Sequence, residues 1–179
     1  MKSTLLIPFL LITFLLSAQE APPLYQIKAE VGQTLSYELQ LESGKILPAL
    51  DWAWDSSTAC FVEPRAEYFT GHHVFFQTEI ATYSTMVITL IPDDPADNMS
   101  LYAYSGGRGA LPPKMRSCIS CEADFFQEQP SVNRPNPDHT RSVELRAVTR
   151  PYPITIGVAG ANGLTTGSFT LQVSMKKNR

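Results

Sequence analysis

Charge is scarce in this chain, at 17% Asp, Glu, Lys and Arg over 179 residues, and no excess of basic residues is present, with 14 Lys and Arg against 17 Asp and Glu. Without a basic surplus there is no surface to neutralise a phosphate backbone, which points away from nucleic acid as a partner. Cysteine is limited to three residues, Cys60, Cys118 and Cys121, too few for a densely cross-linked mini-protein. Long apolar runs are missing as well. The longest lies at the start, from Leu5 to Leu16, interrupted only by Pro8 and Thr13, and at 1.5 Å per residue it falls short of the roughly 30 Å hydrocarbon core of a bilayer. The signatures G-x-S-x-G and H-E-x-x-H do not occur. The 44% of apolar residues is ordinary for a folded domain and excludes wholesale disorder.

Residues 1–18, MKSTLLIPFLLITFLLSA, join a single Lys to that apolar run and end on Ser17 and Ala18. This is the pattern of a secretory signal peptide cut after Ala18. The expectation is a mature chain of residues 19–179 forming a single domain, secreted or periplasmic, with no transmembrane anchor after cleavage. Cleavage removes Lys2 and no acid, leaving a mildly acidic protein.

From Leu24 onward the recurring signal is period two. Leu35, Tyr37, Leu39 and Leu41 alternate with Ser36, Glu38, Gln40 and Glu42, so the apolar four share one face of a half-buried strand. Val74 to Ile80 and Met86 to Ile91, rich in β-branched and aromatic residues, read as central strands with both faces covered. Leu24 to Ala29, Leu101 to Tyr104, Val143 to Val148, Ile154 to Val158 and Ser168 to Val173 complete about eight strands. The expected fold is all-β, a jelly-roll-like antiparallel β-sandwich. Two long connections, Trp52 to Thr70 and Ser105 to Arg141, lack a clear period, and the second carries five Pro. Loops of that length need something other than a hydrogen-bond ladder to hold them.

All three cysteines fall in those connections, and an oxidising compartment favours one bridge with one thiol left over. Cys118-Ile119-Ser120-Cys121 has redox-pair spacing, but it reads as part of a loop in a β-rich chain, followed by at most a turn or two of helix from Glu122 to Gln129. A structural bridge is the favoured reading. It either closes Cys118 to Cys121 or ties Cys60 to one of them, and the second option would pin both connections at once. A zinc set drawn from these cysteines with His72, His73 and His139 is disfavoured, because adjacent histidines on a strand face opposite sides. No metal or other cofactor is therefore expected. The weak calcium candidates are Asp93, Asp94 and Asp97, in an acidic turn that also carries Asn98.

Trp52 and Trp54 lie two apart and would share a face if extended, where paired rings can stack on a sugar or grip a peptide. Capping the core is the competing role. With His72 and His73 at a strand entrance, they form the candidate ligand-binding set of a non-enzymatic module, binding or envelope-associated, whose partner would be a protein or carbohydrate. The alternative is a small secreted hydrolase using His72 or His73 with an acid such as Glu79 or Asp93.

The C-terminal third carries a resemblance. Tyr152-Pro153-Ile154-Thr155-Ile156-Gly157-Val158-Ala159-Gly160, a polar turn, and Thr166-Gly167-Ser168-Phe169-Thr170-Leu171-Gln172-Val173 resemble the ending of bacterial pre-peptidase C-terminal domains. Gly71-His72-His73-Val74-Phe75-Phe76 is similar to that family's first core strand, and Asn98 to Tyr104 with the turn Ser105-Gly106-Gly107 to its central strand. The likeness covers about residues 69–173. It implies a jelly-roll-like β-sandwich that relatives append to secreted peptidases, with proposed roles in substrate binding or secretion. Here about 50 residues separate Ala18 from Phe69, so the expectation is a free-standing module.

Overall fold

A computed structural model describes residues 21–54, 60–115, 117–124 and 138–178. Residues 1–18, read as a signal peptide, and the expected cut after Ala18 lie outside these residues, as does most of the stretch from Glu122 to Gln129 expected to form at most a turn or two of helix. Ten strands are described: β1 (Leu24–Gln26), β2 (Thr34–Gln40), β3 (Lys45–Ile46), β4 (His72–Ile80), β5 (Ser84–Pro92), β6 (Met99–Ser105), β7 (Ser117–Glu122), β8 (Arg141–Ala147), β9 (Tyr152–Gly160) and β10 (Ser168–Lys177). They form two sheets, one in the order β1-β4-β9-β6-β7 with β3 also paired to β4, the other in the order β2-β10-β5-β8. Every pairing is antiparallel except β1 with β4. The all-β sandwich is thus present, with two more strands than the periodicity indicated.

The reason for the sandwich is the alternation. Leu35, Tyr37 and Leu39 of β2 turn inward, and so do Ile88 and Leu90 of β5, Val143 and Leu145 of β8, and Phe169, Leu171 and Val173 of β10. They meet Val74 and Phe76 of β4, Leu101 of β6, and Ile156 and Val158 of β9 from the facing sheet. β4 is covered on both faces, as its composition suggests. β5 is central in its sheet, but Val87, Thr89 and Ile91 are only partly buried, so it is covered on one face alone.

The first sheet differs from the second because its outer face is also apolar. Phe75, Tyr102 and Tyr104 project there and are roofed by Trp52, Phe61, Tyr68 and Phe69 from the connection between β3 and β4. That connection contains two 3₁₀ segments, Asp51–Ala53 and Glu63–Phe69. Trp52 is 5% exposed and packs edge-on against Phe61, with Tyr102 and Tyr104 also in ring contact. Phe61 stacks on Phe69 at 3.7 Å between centroids.

Gly157 of β9 pairs with Phe75 on one side and Tyr102 on the other, and a Cβ there would overlap the Tyr102 ring. Gly157→Ala must displace that ring or the strand, so it is expected to cost about 1 to 3 kcal/mol. Gly107→Ala, whose Cβ would meet open space, should change stability by less than about 0.5 kcal/mol. Urea denaturation of the two variants checks this.

Candidate functional site

Two places in the molecule concentrate chemistry, and the first is the roofed face of the β1-β4-β9-β6-β7 sheet. His73 projects into it and His72 to the opposite side, as strand alternation requires. The His73 ring is fully buried, with Nε2 at 2.7 Å from the Phe69 carbonyl oxygen and Nδ1 at 2.7 Å from the Tyr102 hydroxyl. A carbonyl only accepts, so Nε2 carries the proton and Nδ1 accepts from the Tyr102 hydroxyl. Burial lowers the His73 pKa to about 4, against the Phe69 carbonyl, which favours the cation, and with a smaller push from His72. His73 is thus a neutral, doubly bonded strut. His72 is half-buried, with Nδ1 at 3.0 Å from the Leu41 carbonyl oxygen.

Trp52 and Trp54 are not on an extended segment: Asp51–Ala53 is a 3₁₀ turn and Trp54 closes it. Trp52 therefore lies inside the aromatic layer, its indole N–H donating to the Ala49 carbonyl at 3.0 Å, while Trp54 is partly exposed at the margin. The tryptophan and histidine candidates come together as the layer's interior and edge, not as an open aromatic surface.

Cys60 is bonded to Cys118, and Cys121 is the free thiol. The bridge joins the two long connections across 58 residues of chain, which corresponds to about 4 kcal/mol of loop-closure entropy. Burial of six rings of the layer, Trp52, Phe61, Phe69, Phe75, Tyr102 and Tyr104, is worth on the order of 10 kcal/mol as an upper bound. Burial therefore drives the covering, and the disulfide secures it. The Cys-x-x-Cys pair lies in β7, not in a loop.

Asp93 and Asp94 are exposed and Asp97 partly so, in the turn between β5 and β6. Asp94 accepts from the Ala96 N–H at 2.9 Å, an Asx turn. Burial, with Asp94 and Glu42 nearby, raises the Asp97 pKa. These three carboxylates do not converge: among the described residues, the group of three or more thiol, imidazole or carboxylate donors within 4.8 Å of one another is Cys60, Cys118 and Cys121.

The second place was not found from sequence. At one end of the other sheet, Tyr83, Thr85, Arg146, Val148, Lys176, Lys177 and Asn178 line an open cleft of about 600 Å³. Tyr83 has φ +52°, in the left-handed region that a tyrosine rarely adopts. Its N–H donates to the Val148 carbonyl at 3.3 Å and its carbonyl accepts from the Asn178 N–H at 2.7 Å. Asn178 also donates through Nδ2 to the Ala147 carbonyl at 3.1 Å. This network holds the Tyr83 ring outward, 55% exposed, beside Val148 at 59%. Three cations share the cleft, and Arg146 is paired with the exposed Glu144 at 3.5 Å, a pairing worth little in water. The open outer face of the sheet runs on from the cleft, and one cross-strand row reads Ser36, Gln172, Thr89 and Ser142.

No family model and no curated protein matches the chain. Among solved structures it is similar to the PliG periplasmic inhibitor of g-type lysozyme from Aeromonas hydrophila (10% identity, 86% of this chain and 97% of that one, TM-score 0.44). It is similar to the pre-peptidase C-terminal domain of a Bacillus anthracis collagenase (9%, 88% and 99%, TM-score 0.42), the kind of domain its sequence resembles. A third is CorA, a surface-associated copper-binding protein of Methylomicrobium album BG8 (10%, 86% and 98%, TM-score 0.47).

His73 makes stability depend on pH with a definite sign. Its pKa is lower folded than unfolded, so its contribution is complete above pH 6.5 and is lost as pH falls toward 4, by on the order of 3 kcal/mol. Urea titrations at pH 7, 5.5 and 4 should show this decline in the wild type and a shallower one in His73→Gln.

Proposed function

We propose that this chain is exported through residues 1–18 and that residues 19–179 act as one non-enzymatic β-sandwich module, which binds an acidic protein segment or acidic carbohydrate at the Tyr83 cleft. The observation that carries the reading is the cleft itself: Arg146, Lys176 and Lys177 gathered beside two exposed apolar side chains, Tyr83 and Val148, in a chain with a net charge of −3. Local positive charge on an acidic protein attracts an anionic ligand and speeds its approach, and the Tyr83 ring offers a rigid face on which a sugar or peptide can lie. The strained backbone at Tyr83 supports the same assignment, since such conformations persist where the surroundings enforce them. For location, the support is the signal-like pattern of residues 1–18; no helix among the described residues is long and apolar enough to cross a membrane.

The hydrolase reading has several observations against it. Both nitrogens of His73 are occupied within the core. Glu79 is paired with Arg108 at 2.7 Å, and Asp93 belongs to an exposed turn on the connection leaving β5. A general base needs a reachable lone pair, and the fully buried His73 has both ring nitrogens engaged.

Isothermal titration of the mature chain with oligogalacturonate and with poly-glutamate separates the two ligand sources. Binding to one of them should weaken with salt and fall at least about tenfold in Lys176→Glu/Lys177→Glu. No binding to either, or binding indifferent to that variant, would contradict the assignment.

A further inference from the structure

The three cysteine sulfurs lie within 4.8 Å of one another, although a regular strand would separate Cys118 from Cys121. Residues three apart on a strand face opposite sides. In β7 the register slips: Cys121 pairs with Tyr102 and Ser120 with Ala103, but Cys118 pairs with Tyr104. Ile119 is the extra residue of a β-bulge, which reverses the alternation between the two cysteines. Tyr102 and Tyr104 project to the same outer face, so their partners Cys121 and Cys118 do too, while Ile119 packs against the interior between the sheets. Cys60 descends onto this pair from the aromatic roof. Its carbonyl accepts from the Cys121 thiol at 2.6 Å, so Cys121 is held against the disulfide.

We infer that the reduced form of this cluster is a three-thiolate site for one copper(I) ion. A dithiol reductant gives the Cys60–Cys118 bond two electrons and two protons, leaving two thiols and its own disulfide. Three thiols then surround one point, and as three copper–sulfur bonds form, three protons leave to solvent. Soft sulfur donors select soft ions. Zinc at structural sites almost always takes four ligands, whereas the cluster supplies three thiol, imidazole or carboxylate donors among the described residues. The three negative sulfurs would be partly offset by the ion and by Arg65, whose charge acts on Cys121. The aromatic layer, worth more than the bridge, keeps the elements in place after reduction. This site is independent of the Tyr83 cleft.

The test uses the mature chain, reduced with dithiothreitol, desalted without oxygen and titrated with copper(I) in competition with bathocuproine disulfonate. Reduced wild type should withdraw one equivalent of copper(I), and X-ray absorption should show three sulfur neighbours. The oxidised chain should withdraw none at the same chelator concentration. Cys121→Ser, which leaves the Cys60–Cys118 pair intact, should bind at least about tenfold more weakly after reduction. Copper(I) left wholly with the chelator, or Cys121→Ser competing as well as wild type, would overturn the inference. Loss of the strand circular dichroism spectrum on reduction would overturn it as well, because the site needs the sheet and roof in place.

Discussion

The fold depends on the need to cover an apolar sheet on both faces. One face of the β1-β4-β9-β6-β7 sheet is buried by the second sheet in the ordinary way of a sandwich. The other presents Phe75, Tyr102 and Tyr104, rings too large to leave in water without a cost of about 2 to 3 kcal/mol each. The stretch from Trp52 to Phe69 supplies that cover with rings of its own and leaves the second sheet as the open one. His73 shows how tightly the cover is specified. It is a polar group within an aromatic layer, and it is tolerated because the Phe69 carbonyl and the Tyr102 hydroxyl satisfy both ring nitrogens.

The same requirement explains the cysteines. The bridge from Cys60 to Cys118 joins the roof to the edge strand beneath it, so the covalent bond spans two elements that burial alone already brings together. The β-bulge at Ile119 then has a second effect. By reversing the alternation within β7 it places both cysteines of the Cys-x-x-Cys pair under the roof, where an unbroken strand would have turned one of them into the interior between the sheets.

Much of this was legible in the sequence because period two is a strong local signal. The alternation at Leu35, Tyr37 and Leu39 and the strands β9 and β10 were readable from residue type and spacing, whereas the cysteines left two bridges open, and the structure has the one from Cys60. β3 has two residues and no pattern to read. β7 escaped because Ser-Cys-Ile-Ser-Cys-Glu has little apolar contrast, and its bulge breaks what alternation there is. The Trp52 and Trp54 spacing suggested a shared face, which holds for an extended chain and fails for a 3₁₀ turn. The Tyr83 cleft could not be read at all, since its walls come from residues 83–85, 146–148 and 176–178 and converge only when β5 lies between β8 and β10. The one local hint, an aromatic residue in a tight turn, has no distinctive sequence signature.

A two-faced sheet and a one-faced sheet give the molecule a closed side and an open side. The most direct test of that account is acrylamide quenching of Trp52 fluorescence in the oxidised Trp54→Phe variant, in which Trp52 is the only tryptophan left. A buried roof residue should emit at shorter wavelength than free tryptophan and be quenched several-fold less readily. Emission and quenching equal to those of free tryptophan would mean that the outer face of the first sheet is open, and the account would fail.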